Sequence, residues 1–184
     1  DMSINLQKAG IRTVGAGRNL EESRKMSTVC VNNICLGFLA YSSRSNNGYK
    51  YATNTSPGVA PLEAEIVMED IKKNKKDVDF LIVSLHWGIE HSPHPTPEQV
   101  LFAHRVIDAG VKIIIGNHPQ ILQCIEYYKD GLIMYSLGNF CHSDYYWKGP
   151  QKTYQFKLKD IDRESIIVKV KLFNNGKTNI NIVP

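Results

Sequence analysis

Two histidines stand at the ends of apolar runs, His86 in "DFLIVSLHWG" and His118 in "VKIIIGNHPQ". Such runs read as strands buried on both faces, and ligands of open α/β sheets bind beyond the carboxyl ends of the strands. Two imidazoles delivered there can meet on one divalent cation. Imidazole is the commonest metal-ligating side chain, and its second nitrogen can be held by a neighbouring acceptor. Gly116 allows a sharp turn ahead of His118. With one shared ion the two side chains should lie about 3–6 Å apart, since each Zn–N bond is about 2.0–2.1 Å. Taken alone, two separated histidines also fit hydrogen-bonded structural roles. Trp87 reads either as a packing residue or as one wall of a pocket. His91 and His94 lie in the loop beside the site, His104 on the solvent side of a helix and His142 in a loop after a strand.

The elements that must position these groups alternate between strand and helix. Residues 2–9 read as a helix stopped by Gly10, followed by a short strand "IRTV" and a tight turn "GAG". Asn19 and Glu22 have the spacing of a capping box at a helix start. "TVCVNNICLGFLAY" reads as a hairpin over 27–41 turning at Asn32-Asn33, which places Cys30 opposite Cys35. The pair is either a disulfide or two reduced thiols. Residues 42–60 read as a long loop of the kind that often carries function. Pro61 should open a helix ending in Lys72, Lys73, Lys75 and Lys76, whose charges offset the macrodipole. "TPEQVLFAHRVIDAG" has Thr96 as N-cap, Pro97 in the first turn and Gly110 at the stop. Beyond His118 the pattern becomes a hairpin around Asp130-Gly131 and then strands "TYQFKLKD", "SIIVKVKLF" and "TNINIV". The fold class is α/β with partly parallel pairing.

The 184 residues suit one domain, and a hydrophobic content of 42% excludes disorder. No run approaches the ~18 apolar residues of a membrane span. The first residues, "DMSINLQKAG", lack the basic-then-apolar form of a signal peptide. A net charge of +4, with no aromatics interleaved in the lysine run, argues against a nucleic-acid partner. Four cysteines without Cys-x-x-Cys spacing make a zinc ribbon a poor fit.

"SLHWGIE", "PEQVLFAHRVIDAGVKIIIGNHPQILQ" and "GLIMYSLGNF", preceded by "LQKAGIRTVGAGRNLEES", resemble in order and spacing the capsule-biosynthesis CapA (poly-γ-glutamate synthesis) family. The resemblance covers about residues 4–142. It implies a calcineurin-like metallophosphoesterase fold, a layered α/β-β/α sandwich, with residues 1–184 forming a single domain that lacks its N-terminal part. It also implies a hydrolase that acts on a capsule polymer or a phosphorylated envelope substrate through divalent manganese, iron or zinc. The other reading is a non-catalytic accessory or binding component of capsule polymer assembly and export; capsule-synthesis membrane proteins are a further partner that the resemblance implies.

By this resemblance His86 and His118 are metal ligands and Glu90 is the acidic residue that orders a ligand or accepts a proton. Trp87, Asn117, Gln120 and Asn139 are the residues expected to meet substrate. Gln120 stands where the family has a second histidine, and a neutral amide oxygen is a poorer ligand than imidazole. The superfamily's remaining ligands, an aspartate and an Asn-His pair, fall before the segment that begins here at Leu6. The resemblance therefore predicts weak metal binding and no appreciable phosphoesterase activity for this chain. It also implies an extracytoplasmic location, with membrane association through a segment outside residues 1–184.

Overall fold

A computed structural model describes residues 2–43, 50–150, 152–173 and 175–184. Part of the long loop expected at 42–60 therefore lies outside the described residues.

In chain order the helices are α1 (Met2–Lys8), α2 (Leu20–Ser23), α3 (Ala64–Asn74) and α4 (Pro97–Asp108). The strands are β1 (Ala16–Gly17), β2 (Ser27–Val31), β3 (Ile34–Ser42), β4 (Gly58–Val59), β5 (Phe80–His86), β6 (Ile113–Asn117), β7 (Ile125–Tyr128), β8 (Gly131–Met134), β9 (Tyr145–Lys148), β10 (Thr153–Phe156), β11 (Ile167–Leu172) and β12 (Thr178–Val183). One six-stranded sheet organises the molecule, in the order β2-β3-β5-β6-β8-β7. Its four central strands pair in parallel, and β2 and β7 join antiparallel at the edges.

Side-chain alternation along the strands divides the core in two. Leu81, Val83 and Leu85 of β5 pack with Val67 and Ile71 of α3 and Ala103, Val106 and Ile107 of α4. The opposite face carries Ile82, Ile113, Leu132 and Met134, covered by Val168, Val170, Leu172 and Ile180 of the β11–β12 hairpin. The layers are thus helix, sheet and hairpin.

Local chemistry accounts for the elements. At α4, Thr96 accepts from Gln99 N and Gln99 returns a bond to the Thr96 backbone, a complete capping box. The β2–β3 hairpin turns through Asn32 and Asn33, at φ 51° and 62°, as a type I′ turn requires. Cys30 and Cys35, opposite one another in register, form a disulfide. The lysine run closes α3 as expected, with Lys72 and Lys73 in its last turn.

Three local expectations need correction. Residues 11–14 form no strand; the pairing starts later, where Ala16 and Gly17 of β1 meet Val59 and Gly58 of β4. Pro61 does not open α3 but bridges to Ser42, and the helix begins at Ala64. His104 is not simply solvent-facing: it bonds Glu126 at 2.8 Å and stacks on Tyr128 with ring centroids 3.7 Å apart.

Candidate metal centre

In β5, residues 81, 83 and 85 face the helices, so His86 points with Ile82 and Ser84 toward the hairpin side. The parallel register places Ser42 of β3 beside His86, and Asn117 of β6 on its other side. A polar row, Ser42–His86–Asn117, therefore crosses the carboxyl end of three adjacent strands. Apolar residues fill the strands behind it because only their ends reach solvent.

His118 follows directly, and its ring centroid lies 4.7 Å from that of His86. Asn117 Oδ1 sits 2.5 Å from His86 Nδ1, and Asn117 Nδ2 donates to Ser84 Oγ at 3.4 Å. An amide oxygen facing Nδ1 suits the tautomer protonated there, which would put the ring's lone pair on Nε2, the arrangement of a ligating imidazole. Burial, and next the neighbouring His86, push the His118 imidazole below its ordinary pKa, which favours the neutral form needed to ligate; Glu90 opposes them. Glu90 Oε1 is 4.0 Å from His118 Nδ1, with its side chain 55% exposed, so solvent screens much of that attraction.

The backbone is strained at this place. Of the six non-glycine residues with positive φ among those described, His91, His118 and Gln120 occupy the two loops that follow β5 and β6, at 58°, 101° and 66°. Each such conformation costs on the order of 1–3 kcal/mol and persists only where the surroundings enforce it. His91 N donates to Pro119 O at 2.9 Å, which ties the two loops together. His91 Nδ1 also meets Asp162 Oδ1 at 2.8 Å, anchoring them to the turn Asp160–Arg163.

Two imidazoles suit one divalent ion, but among the described residues no three His, Cys, Asp or Glu side chains group closely enough to share a cation. The donor set fits a weak mononuclear site and not a dinuclear one. Gln120, two residues beyond His118, sits in the left-handed region and could add at most a neutral amide oxygen.

The remaining expected residues divide. Trp87 is 3% exposed, stacks on Tyr135 with centroids 5.9 Å apart, and donates from Nε1 to Tyr135 O at 3.2 Å. Its place is in the core, the packing role of the two considered for it. Asn117 holds His86, as described. Asn139 Nδ2 is buried without a hydrogen-bond partner. Ser42, absent from the sequence reading, is 7% exposed and its Oγ likewise lacks a partner. Only the register with His86 reveals it, and a serine at a strand end carries no signal of its own. A cleft of about 1230 Å³ lies elsewhere, lined by Arg12, Arg18, Arg24, Asp70 and Lys73 among others, and none of the expected site residues lines it.

Residues 1–144 match the model of the bacterial capsule synthesis protein family PGA_cap. The chain belongs to this family. It is 34% identical over 178 residues to the PGA biosynthesis protein CapA of Bacillus subtilis (strain 168), covering 96% of this chain and 43% of that protein. It is 32% identical over 182 residues to the capsule biosynthesis protein CapA of Bacillus anthracis, covering 97% of this chain and 41% of the relative. The chain thus spans about two fifths of the length of these relatives. Among solved structures, a candidate 5′-nucleotidase from Staphylococcus aureus, in complex with α-ketoglutarate, superposes with a TM-score of 0.52 at 14% identity over 95% of this chain and 32% of that one. A hypothetical protein from Thermus thermophilus gives 0.51 at 12% identity, over 86% of this chain and 60% of that one. This PGA_cap chain has the α/β fold of the metallophosphoesterase-like proteins, and its helix, sheet and hairpin make up the α/β-β layers of the expected α/β-β/α sandwich. The matched stretch contains β5, β6 and both histidines.

Proposed function

We propose that this chain is the histidine-bearing part of a CapA-type protein of poly-γ-glutamate capsule synthesis, acting on the polymer or on a phosphorylated envelope substrate. In this reading His86 and His118 hold one divalent cation, manganese, iron or zinc, Glu90 stands by as proton acceptor, and Ser42 and Asn139 offer polar contacts to substrate. The carrying observation is the 4.7 Å approach of the two imidazoles, with His86 oriented by Asn117. A bound cation would polarise a substrate oxygen and lower the pKa of a bound water. A location in the cell envelope follows from the capsule role, and the Cys30–Cys35 disulfide supports an oxidising compartment.

The second reading, an accessory component without turnover, is favoured by Gln120 and by the lack of a three-donor group among the described residues.

Metal titration by calorimetry tests the site. Four-ligand zinc sites bind with about 10–16 kcal/mol, so half the ligands should give a Kd of about 1–200 μM. His86→Ala should move this to the millimolar range. Asn117→Ala, which frees the His86 ring, should weaken binding by about 10–100-fold. Two ions held at nanomolar Kd, or unchanged binding in His86→Ala, would contradict the site. Hydrolysis of an aryl phosphate with added manganese then separates the readings. Turnover that vanishes in His86→Ala selects the enzyme, and silence with metal bound selects the accessory role.

A further inference from the structure

Residues 145–159 contain four lysines, five aromatics and no acidic residue. Strands β9 and β10 within this stretch form a two-stranded sheet of their own, apart from the six-stranded sheet. The register sets Trp147 against Tyr154 and Tyr146 against Gln155. Alternation then puts Trp147, Tyr154 and Phe156 on one face of the hairpin, with Tyr146 and Lys148 on the other.

The aromatic face is open to solvent, with Trp147 54%, Tyr154 38% and Phe156 44% exposed. Its rings are organised: Trp147 and Tyr154 lie 5.1 Å apart, and Lys152 Nζ sits 4.6 Å above the Tyr154 ring. Clustered exposed apolar surface of this kind marks an interaction site.

Charge decides among occupants. A second copy would bring the same four lysines against this set, so like charges would oppose pairing. A soluble polycarboxylate would answer the lysines but offers little to Phe156 and Trp147. The interfacial layer of an anionic bilayer answers both, since Trp and Tyr rings settle at headgroup level and lysines reach the phosphates along their apolar stems.

We propose that the β9–β10 hairpin is a peripheral docking element. It seats the Trp147–Tyr154–Phe156 face in the headgroup region of an anionic lipid bilayer, with Lys152, which sits over the Tyr154 ring, against the lipid phosphates and Lys148, Lys157 and Lys159 adding positive charge around the hairpin. This surface is independent of the metal centre.

Vesicle co-sedimentation tests it, using phosphatidylcholine with about 30 mol% phosphatidylglycerol against phosphatidylcholine alone. The protein should pellet with the anionic vesicles and be released as salt rises. Trp147 emission should shift to the blue on binding, while Trp87 is already buried. Each Lys→Gln change among the four should lower partitioning about fivefold, and Trp147→Ser should abolish the shift, with far-UV circular dichroism checking the fold. The lysine variants and the wild-type emission keep the test decisive if Trp147→Ser misfolds. Failure of the wild type to pellet with anionic vesicles would overturn the proposal. Two further outcomes would also overturn it: retention on immobilised poly-γ-glutamate with no vesicle binding, which gives the face to the polymer, and self-association abolished by Trp147→Ser with no vesicle binding, which gives it to a second copy.

Discussion

Gly116→Ala should cost about 2–6 kcal/mol of stability and bring the chain toward its unfolding threshold. A Cβ built on Gly116 would lie 2.0 Å from Tyr135 O and 2.6 Å from Trp87 Nε1. The nearest clash is with backbone, so no rotamer change relieves it, and β6 must move away from the chain beyond β8. Overpacking of this kind typically costs about 1–3 kcal/mol. Here the shift also breaks the bond from Trp87 Nε1 to Tyr135 O, stranding a buried donor at about 1–3 kcal/mol more. Gly10→Ala is the control: it meets nothing within 4 Å and suffers only from its φ of +76°, so it should cost about 1 kcal/mol. Thermal unfolding followed at the tryptophan bands compares them. Equal midpoints for Gly116→Ala and the parent chain would refute the packing argument.

Asp70→Ala should lower stability by about 3 kcal/mol, or the midpoint by about 6–12 °C at this chain length. Asp70 is 4% exposed, and its carboxylate accepts from Arg24 Nε at 3.0 Å, from the other Arg24 nitrogen at 2.8 Å and from Tyr41 Oη at 2.9 Å. The bond to Asp70 is the main reason the Arg24 guanidinium is held more firmly protonated than usual. Removing the carboxylate leaves that guanidinium, with a side chain only 20% exposed, to the solvent-facing Glu69 alone. It also strands the buried Tyr41 hydroxyl. Replacing both partners together, Arg24→Met with Asp70→Leu, removes the stranded charge and should be milder than Asp70→Ala. A double variant as unstable as the sum of the two singles would show that no such coupling exists.

What could be read from the residues alone follows how much each element depends on its own neighbours. Helix α4 carries its start, stripe and stop within fifteen residues, and Asn32-Asn33 encodes its own turn, so both were legible. Strands β5 and β6 announced themselves by unbroken apolar runs, and with them the two histidines. Strand β9 was not legible, because Tyr146, Trp147 and Lys148 are all exposed and carry no alternation of buried and exposed positions. The pairing of Ala16 with Val59 depends on chain far away, as does the seat of Pro61 beside Ser42. Trp87 stayed open between two roles because the direction of its side chain follows from the parity of β5, which fixes only once the helices are in place. Ser42 joins the row at His86 through a parallel register, and no local pattern encodes that.

The two faces of the central sheet are finished at different moments of synthesis. Helices α3 and α4 leave the ribosome before β8, so one face is covered as the sheet assembles. The other face, with Ile82, Ile113, Leu132 and Met134, waits for a hairpin that ends at Val183, about fifty residues after Met134. At about 5–20 residues per second the nascent chain presents an uncovered apolar sheet for roughly 2–10 s. Through that interval the half-built protein is a natural client for holding chaperones, and a ribosome stalled between β8 and β11 would release a product ready to aggregate.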